Sequence, residues 1–382
     1  MAIPQGRTGK LYLKKEASYG LEEALASANA MRHINVGFTH NPFQRVNSPE
    51  KNPTPGVFTR FDRKPATMLE TLVALLRPSG VLNTLPEIDP ILEVAFGAKT
   101  NVTLATTVSS GPTTTGATVA SAGTLAVGDA VRLEVTGQAN SPYVRILTAV
   151  AGAALTWAPA LPAAQTVGDD VHGGLTYKLT TPLALSLTIA HYLTGFKREL
   201  LGCGLDSFAL ALDANAEPQV TVSGPAKDQL TGTAQAAPAA FTTVGGNPPS
   251  GIIGETWINS TLYLMKSLNV SFTNSLNARN TEYGVRLPTE LNRNGLREIS
   301  VSLEAWAETE ATLYDLTEAG SFSSVLTQTG RTGGSIVTVW MPKVDFSVPS
   351  QTDEDGEIGW GFQGQALESV LGSNDELKVC IH

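Results

Sequence analysis

The feature that most constrains the fold of this chain is the strict alternation of its apolar residues between positions 267 and 320. Leu268, Val270 and Phe272 alternate with Asn269, Ser271 and Thr273; after a turn-rich stretch, Ile299, Val301, Leu303 and Ala305 alternate with Ser300, Ser302 and Glu304. A period of two marks a strand with one buried face. Two such strands are therefore predicted, followed by a short helix in which Leu313 and Leu316 share a face and Gly320 closes the end. Glu308 and Glu310 fall in its first turn, where negative charge suits the helix dipole. No reactive side chain stands at any of these turns, as expected of a sheet made for joining other sheets.

The rest of the chain extends this picture. Its 382 residues allow two or three domains, and only 16% are charged while Gly (36) and Pro (22) are plentiful, which favours an all-β chain with many turns. The most apolar window, 146–164, is broken by Gly152, Pro159 and Pro162, so no membrane insertion is expected. Residues 1–15 are polar and basic, unlike a signal peptide, and folding in a cytoplasm is the expectation. Cys203 and Cys380 lie in strand-like surroundings and read as small buried hydrophobes.

In order, residues 1–60 read as an extended arm with one helix over 21–31; a loosely packed terminus and an arm crossing to a neighbouring subunit both fit. A strand over 57–61 and a helix over 65–76 follow, the latter because Leu69, Leu72, Val73 and Leu76 fall at helical spacing and Thr67 and Glu70 at capping-box spacing. A second helix over 89–96 has Asp89 as N-cap, Pro90 at its first position and Gly97 beyond its end. Residues 101–174 change abruptly to Thr, Ala, Val and Gly, and the phrases LAVGDAV and QTVGDDV suggest a small inserted β-barrel or sandwich, low-complexity disorder being the alternative. Strand-like runs then occupy 183–189, 205–212 and 220–222; a linker covers 230–254; further runs lie at 336–341, 344–348, 358–362 and 377–381. The strand-then-helix order over 57–80 recurs over 299–320, which suggests a duplicated module.

Acidity is concentrated late: residues 255–382 hold 17 acidic against 8 basic side chains, whereas residues 1–100 hold 9 against 12. That argues against a nucleic-acid reader and is compatible with a surface that keeps nucleic acid from sticking. Nucleophile elbows, phosphate-cradling loops and His-Glu-x-x-His are absent, and His33, His40, His172, His191 and His382 are scattered, so no catalytic residue, cofactor or metal is expected. The acidic run at 353–357 reads as a hairpin turn on Asp355 and Gly356. Asn101, Asn259 and Asn269 head glycosylation sequons without a secretory signal.

Several phrases together resemble the major tail tube proteins of long-tailed, noncontractile bacteriophages: FTRFDRKPATMLETLVALLRPSG, DPILEVAFGAK, LLGCGLDSFALALDANAEPQVTVSGPAKD, LNVSFTNSLNARNTEYG and REISVSLEAWAETEATLYDL. The resemblance implies a mainly β fold of sandwich or barrel modules with flanking short helices. It also implies stacked rings whose inner strands form a tube for the passage of double-stranded DNA, in a virion tail assembled in the host cytoplasm. Tape measure, tail tip and tail terminator proteins would be its partners. Residues 57–100 with 175–229 would form a first tube module and 255–382 a second. The arm 1–56, the linker 230–254 and an exterior decoration at 101–174 complete the chain. Three such chains would close a homo-oligomeric ring of pseudo-sixfold symmetry. Glu304, Glu308, Glu310, Asp315 and Glu318 are the candidates for an acidic lumen. A β-rich adhesin or carbohydrate-binding surface protein is the alternative reading.

Overall fold

A strand with one apolar face is stable only when that face is covered, and in the computed structural model of this chain the cover is almost entirely other β-structure. The structure describes residues 8–51, 53–57, 59–181, 185–232, 236–306, 311–354 and 357–382, which are mainly strand with two α-helices. Eight strands form one antiparallel sheet. In chain order they are β1 (Asn35–Asn41), β2 (Ala66–Leu75), β3 (Ser207–Asp213), β4 (Gln219–Ala226), β5 (Met265–Thr273), β6 (Glu298–Trp306), β7 (Ser350–Glu354) and β8 (Glu357–Ala366). Across the sheet the order is β7-β8-β6-β5-β3-β4-β2-β1.

The strand Val337–Phe346 joins β8 through Val344↔Ala366 and leads into a second set of strands. These include Ser323–Thr329, Gly254–Ile258, Lys378–Ile381, Leu175–Leu179 and Gly97–Asn101. A separate five-stranded sheet runs Asp228–Gly232, Phe196–Cys203, Leu187–Leu193, Lys10–Lys15, Ala30–Met31. The inward residues of all three sets meet in one apolar cluster, to which β5 and β6 contribute Leu268, Val270, Phe272, Ile299, Val301 and Leu303. The alternation that predicted β5 and β6 is thus the alternation of buried and solvent-facing residues.

Helix α1 (Asp89–Phe96) sits inside that cluster. Phe96 meets Phe208 of β3 and Phe272 of β5 edge-to-face, each at 5.3 Å, while Phe208 and Phe272 stack at 4.9 Å. Gly97 ends the helix at φ +94°, a conformation open chiefly to glycine. The N-cap is Ile88, not Asp89. Asp89 instead lies within the helix and is committed elsewhere: it accepts hydrogen bonds from the Tyr177 hydroxyl (2.8 Å) and from Lys99 Nζ (2.7 Å), and Lys99 also pairs with Glu93 at 2.8 Å.

Three early expectations are corrected. Residues 65–76 form strand β2, not a helix. An extra residue at Glu70 shifts the register on both sides, between Leu69 and Thr71 against β1 and between Leu69 and Leu72 against β4. This bulge turns both Leu69 and Leu72 inward, so a bulged strand presents helical spacing. The helix over 21–31 reduces to a 3-10 turn at Ser27–Asn29 before the strand Ala30–Met31. Lys10–Lys15, within the expected arm, is a buried strand between Leu187–Leu193 and Ala30–Met31. The run at 57–61 is strand only from Arg60, in an exposed hairpin of Gln44–Asn47 with Arg60–Arg63.

Six strands between Ala105 and Gly173 close into a barrel. The chain leaves and re-enters at adjacent points, since Gly173 N–H donates to Leu104 O (2.9 Å) and Val102 N–H to Gly174 O (3.0 Å). The barrel is not free-standing. Its apolar cluster includes Trp257, Leu326, Ile336, Trp340 and Cys380 from the strands beneath it. Arg145 lies 4.8 Å over the Trp257 ring, and Gln328 accepts from Val144 N (2.8 Å) while donating to Pro142 O (2.9 Å). The C-terminal strand is consequently buried on both faces, with Val379 and Ile381 toward the main cluster and Cys380 toward the barrel.

Two predictions follow from this seam. Replacing residues 104–173 by a short Gly-Ser linker uncovers Trp257, Leu326 and Trp340, and should give a chain that aggregates and binds a hydrophobic dye. The same excision carrying Trp257→Thr and Trp340→Thr should be more soluble; an unaltered excised chain that is soluble and dye-silent would contradict the shared cluster. The second prediction concerns acid. Burial lowers the His382 pKa to about 3 and that of His191 to about 4, and the His382 ring packs where a Cβ on Gly174 would meet it at 2.1 Å. A histidine held neutral in the folded state contributes stability that is complete above its unfolded pKa and declines as pH falls toward the folded value. The urea midpoint should therefore fall from about pH 6.5 to about pH 5, before most carboxylates protonate, and His382→Gln should flatten that slope. A midpoint that is constant or rising over this interval would refute it.

Candidate functional site

The outward face of the eight-stranded sheet is built by the half of each strand that does not enter the core. Cross-strand register aligns Ser267, Asn269, Ser271 and Thr273 of β5 with Glu304, Ser302, Ser300 and Glu298 of β6 on one side, and with Asp213, Ala211, Ala209 and Ser207 of β3 on the other. Farther out, β4 adds Gln219, Thr221 and Ser223, and β8 adds Gly361, Gln363 and Gln365. The face is thus paved with short polar and small side chains. Some are tied to each other across strands: Gln363 Nε2 donates to Ser302 Oγ at 2.9 Å, and Thr39 Oγ1 to Glu70 Oε2 at 3.0 Å.

Charge on this face has one predominant sign. Among the described side chains of the eight strands it carries Glu70, Asp213, Glu298 and Glu304, all exposed, against Lys266 alone. Lys266 lies at one end of β5, 4.0 Å from Glu304 and 5.5 Å over the Trp306 ring. A wide, flat, negatively charged and weakly hydrogen-bonding surface offers neither a concave pocket for a small substrate nor cations for phosphate. What it can do chemically is repel polyanions at a distance.

The structure separates the acids singled out from the sequence. Glu304 is on this face. Asp315 and Glu318 are exposed on helix α2 (Ala311–Glu318), which packs through Tyr314 against Trp360 at 5.6 Å, on the core side of β8. Glu308 and Glu310 lie outside the described residues. Glu70, Asp213 and Glu298 were missed. Asp213 and Glu298 occupy the outward phase of alternating runs and could have been found by extending the phase; Glu70 was hidden by the helical reading of β2. The hairpin expected at Asp355 and Gly356 is formed by β7 and β8, with Glu354 opposite Glu357, although those two turn residues are outside the described set.

One donor set has the spacing to hold a metal ion: Glu134, Asp170 and His172 of the barrel, whose ligand atoms all lie within 4.8 Å of one another. The Arg132 guanidinium, 3.4 Å from Glu134, already brings positive charge to this group, and burial followed by Arg132 lowers the His172 pKa. Cys203 and Cys380 are buried free thiols, and burial raises the pKa of both, that of Cys380 to about 12. Neither is suited to act as a nucleophile.

No curated protein matches the chain. A family model described as phage tail tube protein matches residues 6–364, almost the whole length. The chain therefore belongs to the phage tail tube proteins, structural components of the bacteriophage virion tail.

Proposed function

We propose that this phage tail tube protein assembles into stacked rings, three chains to a ring, and that the outward face of the eight-stranded sheet lines the lumen through which double-stranded DNA is delivered. The observation that carries this reading is the combination of a sheet open at both β1 and β7 with an outer face whose charges are almost all acidic. An open edge is an aggregation hazard in a monomer and an assembly contact in a ring. A DNA conduit must avoid the cation–phosphate contacts whose counterion release would hold the polymer in place. Small polar side chains complete such a wall, because they leave little for a sliding duplex to catch.

Contacts along the tube axis would use the connections at the ends of these strands. Tyr283 is fully exposed in the 274–297 connection, Leu296 is 84% exposed beside it, and Leu371 is 98% exposed in the loop anchored by the Arg297–Glu376 ion pair at 2.6 Å. Apolar side chains this exposed suit contact with a further ring. The barrel would then stand on the opposite side of the wall from the lumen, because it packs on the strands that back the eight-stranded sheet.

Electron microscopy of the purified protein tests the assembly: rings of three chains, stacked into tubes, are expected, while a strictly monomeric protein at high concentration or a ring of six chains would overturn the stoichiometry or the reading. The electrostatic role is tested by reversing Asp213, Glu298 and Glu304 to lysine together. Tubes should still form, since all three are exposed and away from the sheet's edges, but genome ejection should slow or arrest. The effect should be stronger at low salt, where the Debye length grows from about 8 Å toward 30 Å. Unchanged ejection at low salt would refute an acidic lumen.

A further inference from the structure

The eight-stranded sheet contains the same four-strand unit twice. In the first unit a 24-residue connection (42–65) carrying a hairpin links β1 to β2, α1 follows, and the β3–β4 hairpin completes it. In the second a 24-residue connection (274–297) also carrying a hairpin links β5 to β6, α2 follows, and β7–β8 completes it. Sheet order repeats as well, β3-β4-β2-β1 and β7-β8-β6-β5, and the two units meet at a continuous antiparallel joint between β3 and β5 that pairs seven residues, from Ser207↔Thr273 to Asp213↔Ser267. The outer strands β1 and β7 occupy the positions of β5 and β3 in their own units. Neither pairs on its outer side among the described residues, and neither contains the lysine or proline that commonly guards an edge.

We infer that the lateral contact between copies reproduces this internal joint: β7 of one chain pairs with β1 of the next as β3 pairs with β5 within the chain. The inference rests on the tube reading, and names the edges and the register it would use. Direction agrees, because eight antiparallel strands leave β1 and β7 running oppositely, so copies related by rotation about the tube axis meet antiparallel. Register follows from the equivalences. Equal connections place Thr273 on Asn41 and Ser271 on Thr39. Beyond the extra residue at Glu70, Ala305 falls on Ala74, and their partners Trp360 and Val220 fall on each other. One residue farther, Gly361 and Thr221 pair with Ser350 and Ala209, which are therefore equivalent. Since Ala209 pairs with Ser271 inside the chain, Ser350 should pair with Thr39 between chains.

Paired cysteines test the register. Ala209→Cys with Ser271→Cys should close within the chain and calibrates the geometry. Thr39→Cys with Ser350→Cys should give covalent dimers and trimers on a non-reducing gel after mild oxidation of assembled tubes. Thr39→Cys with Gln351→Cys, which puts the two side chains on opposite faces of the sheet, should not. The native Cys203 and Cys380 are buried and should stay silent. Tubes in which the Thr39/Ser350 pair stays monomeric while the internal pair closes, or in which the off-register pair links equally well, would overturn this contact and leave the tube reading standing. A protein that forms no tubes overturns both.

Discussion

The structure depends on the sheet remaining continuous where its two halves meet. Main-chain pairing of β3 with β5 supplies the hydrogen bonds, and the stack of Phe208 on Phe272 beneath it, capped edge-on by Phe96, supplies the apolar burial. Full burial of each ring is worth roughly 1.5–3 kcal/mol, and each favourable aromatic contact adds about 0.5–1.5 kcal/mol. Asn274, fully buried just past β5, donates to Ala95 O and Leu205 O at 3.0 and 3.1 Å, so the helix end, the approach to β3 and the exit from β5 share one polar tie. A helix belonging to the first half thus fixes the strand that begins the second.

The same economy governs the other side of the wall. The C-terminal strand serves two apolar clusters at once, which explains why it shows four buried residues in succession. An insertion that only decorated the surface would leave polar residues beneath it. Here the strands beneath carry Trp257 and Trp340, so the barrel is a structural part of the wall it stands on.

Much of the sheet was legible because alternation survives wherever one face is core and the other is solvent. β5 and β6 were read almost to their ends for that reason, and α1 was bounded correctly by Pro90 and Gly97. Legibility failed where a local irregularity changed the period. The bulge at Glu70 turned a strand into an apparent helix, and it also concealed Glu70 as a member of the acidic face. Lys10–Lys15 was misjudged because a strand with Leu11, Tyr12 and Leu13 all buried shows no alternation. The acids of α2 were grouped with Glu304 by proximity in sequence. Phase along each strand, rather than local charge density, separates those that share its face.

The equal 24-residue connections have a thermodynamic consequence. A lateral joint between separate molecules costs translational and rotational freedom each time it forms, on the order of 4–15 kcal/mol, whereas the joint between β3 and β5 forms within one chain at a high effective concentration. Writing two units into one polypeptide therefore makes every second joint of a closed wall a folding event rather than an encounter. Half of the wall's lateral joints would then be independent of subunit concentration, and dilution would act only on the others.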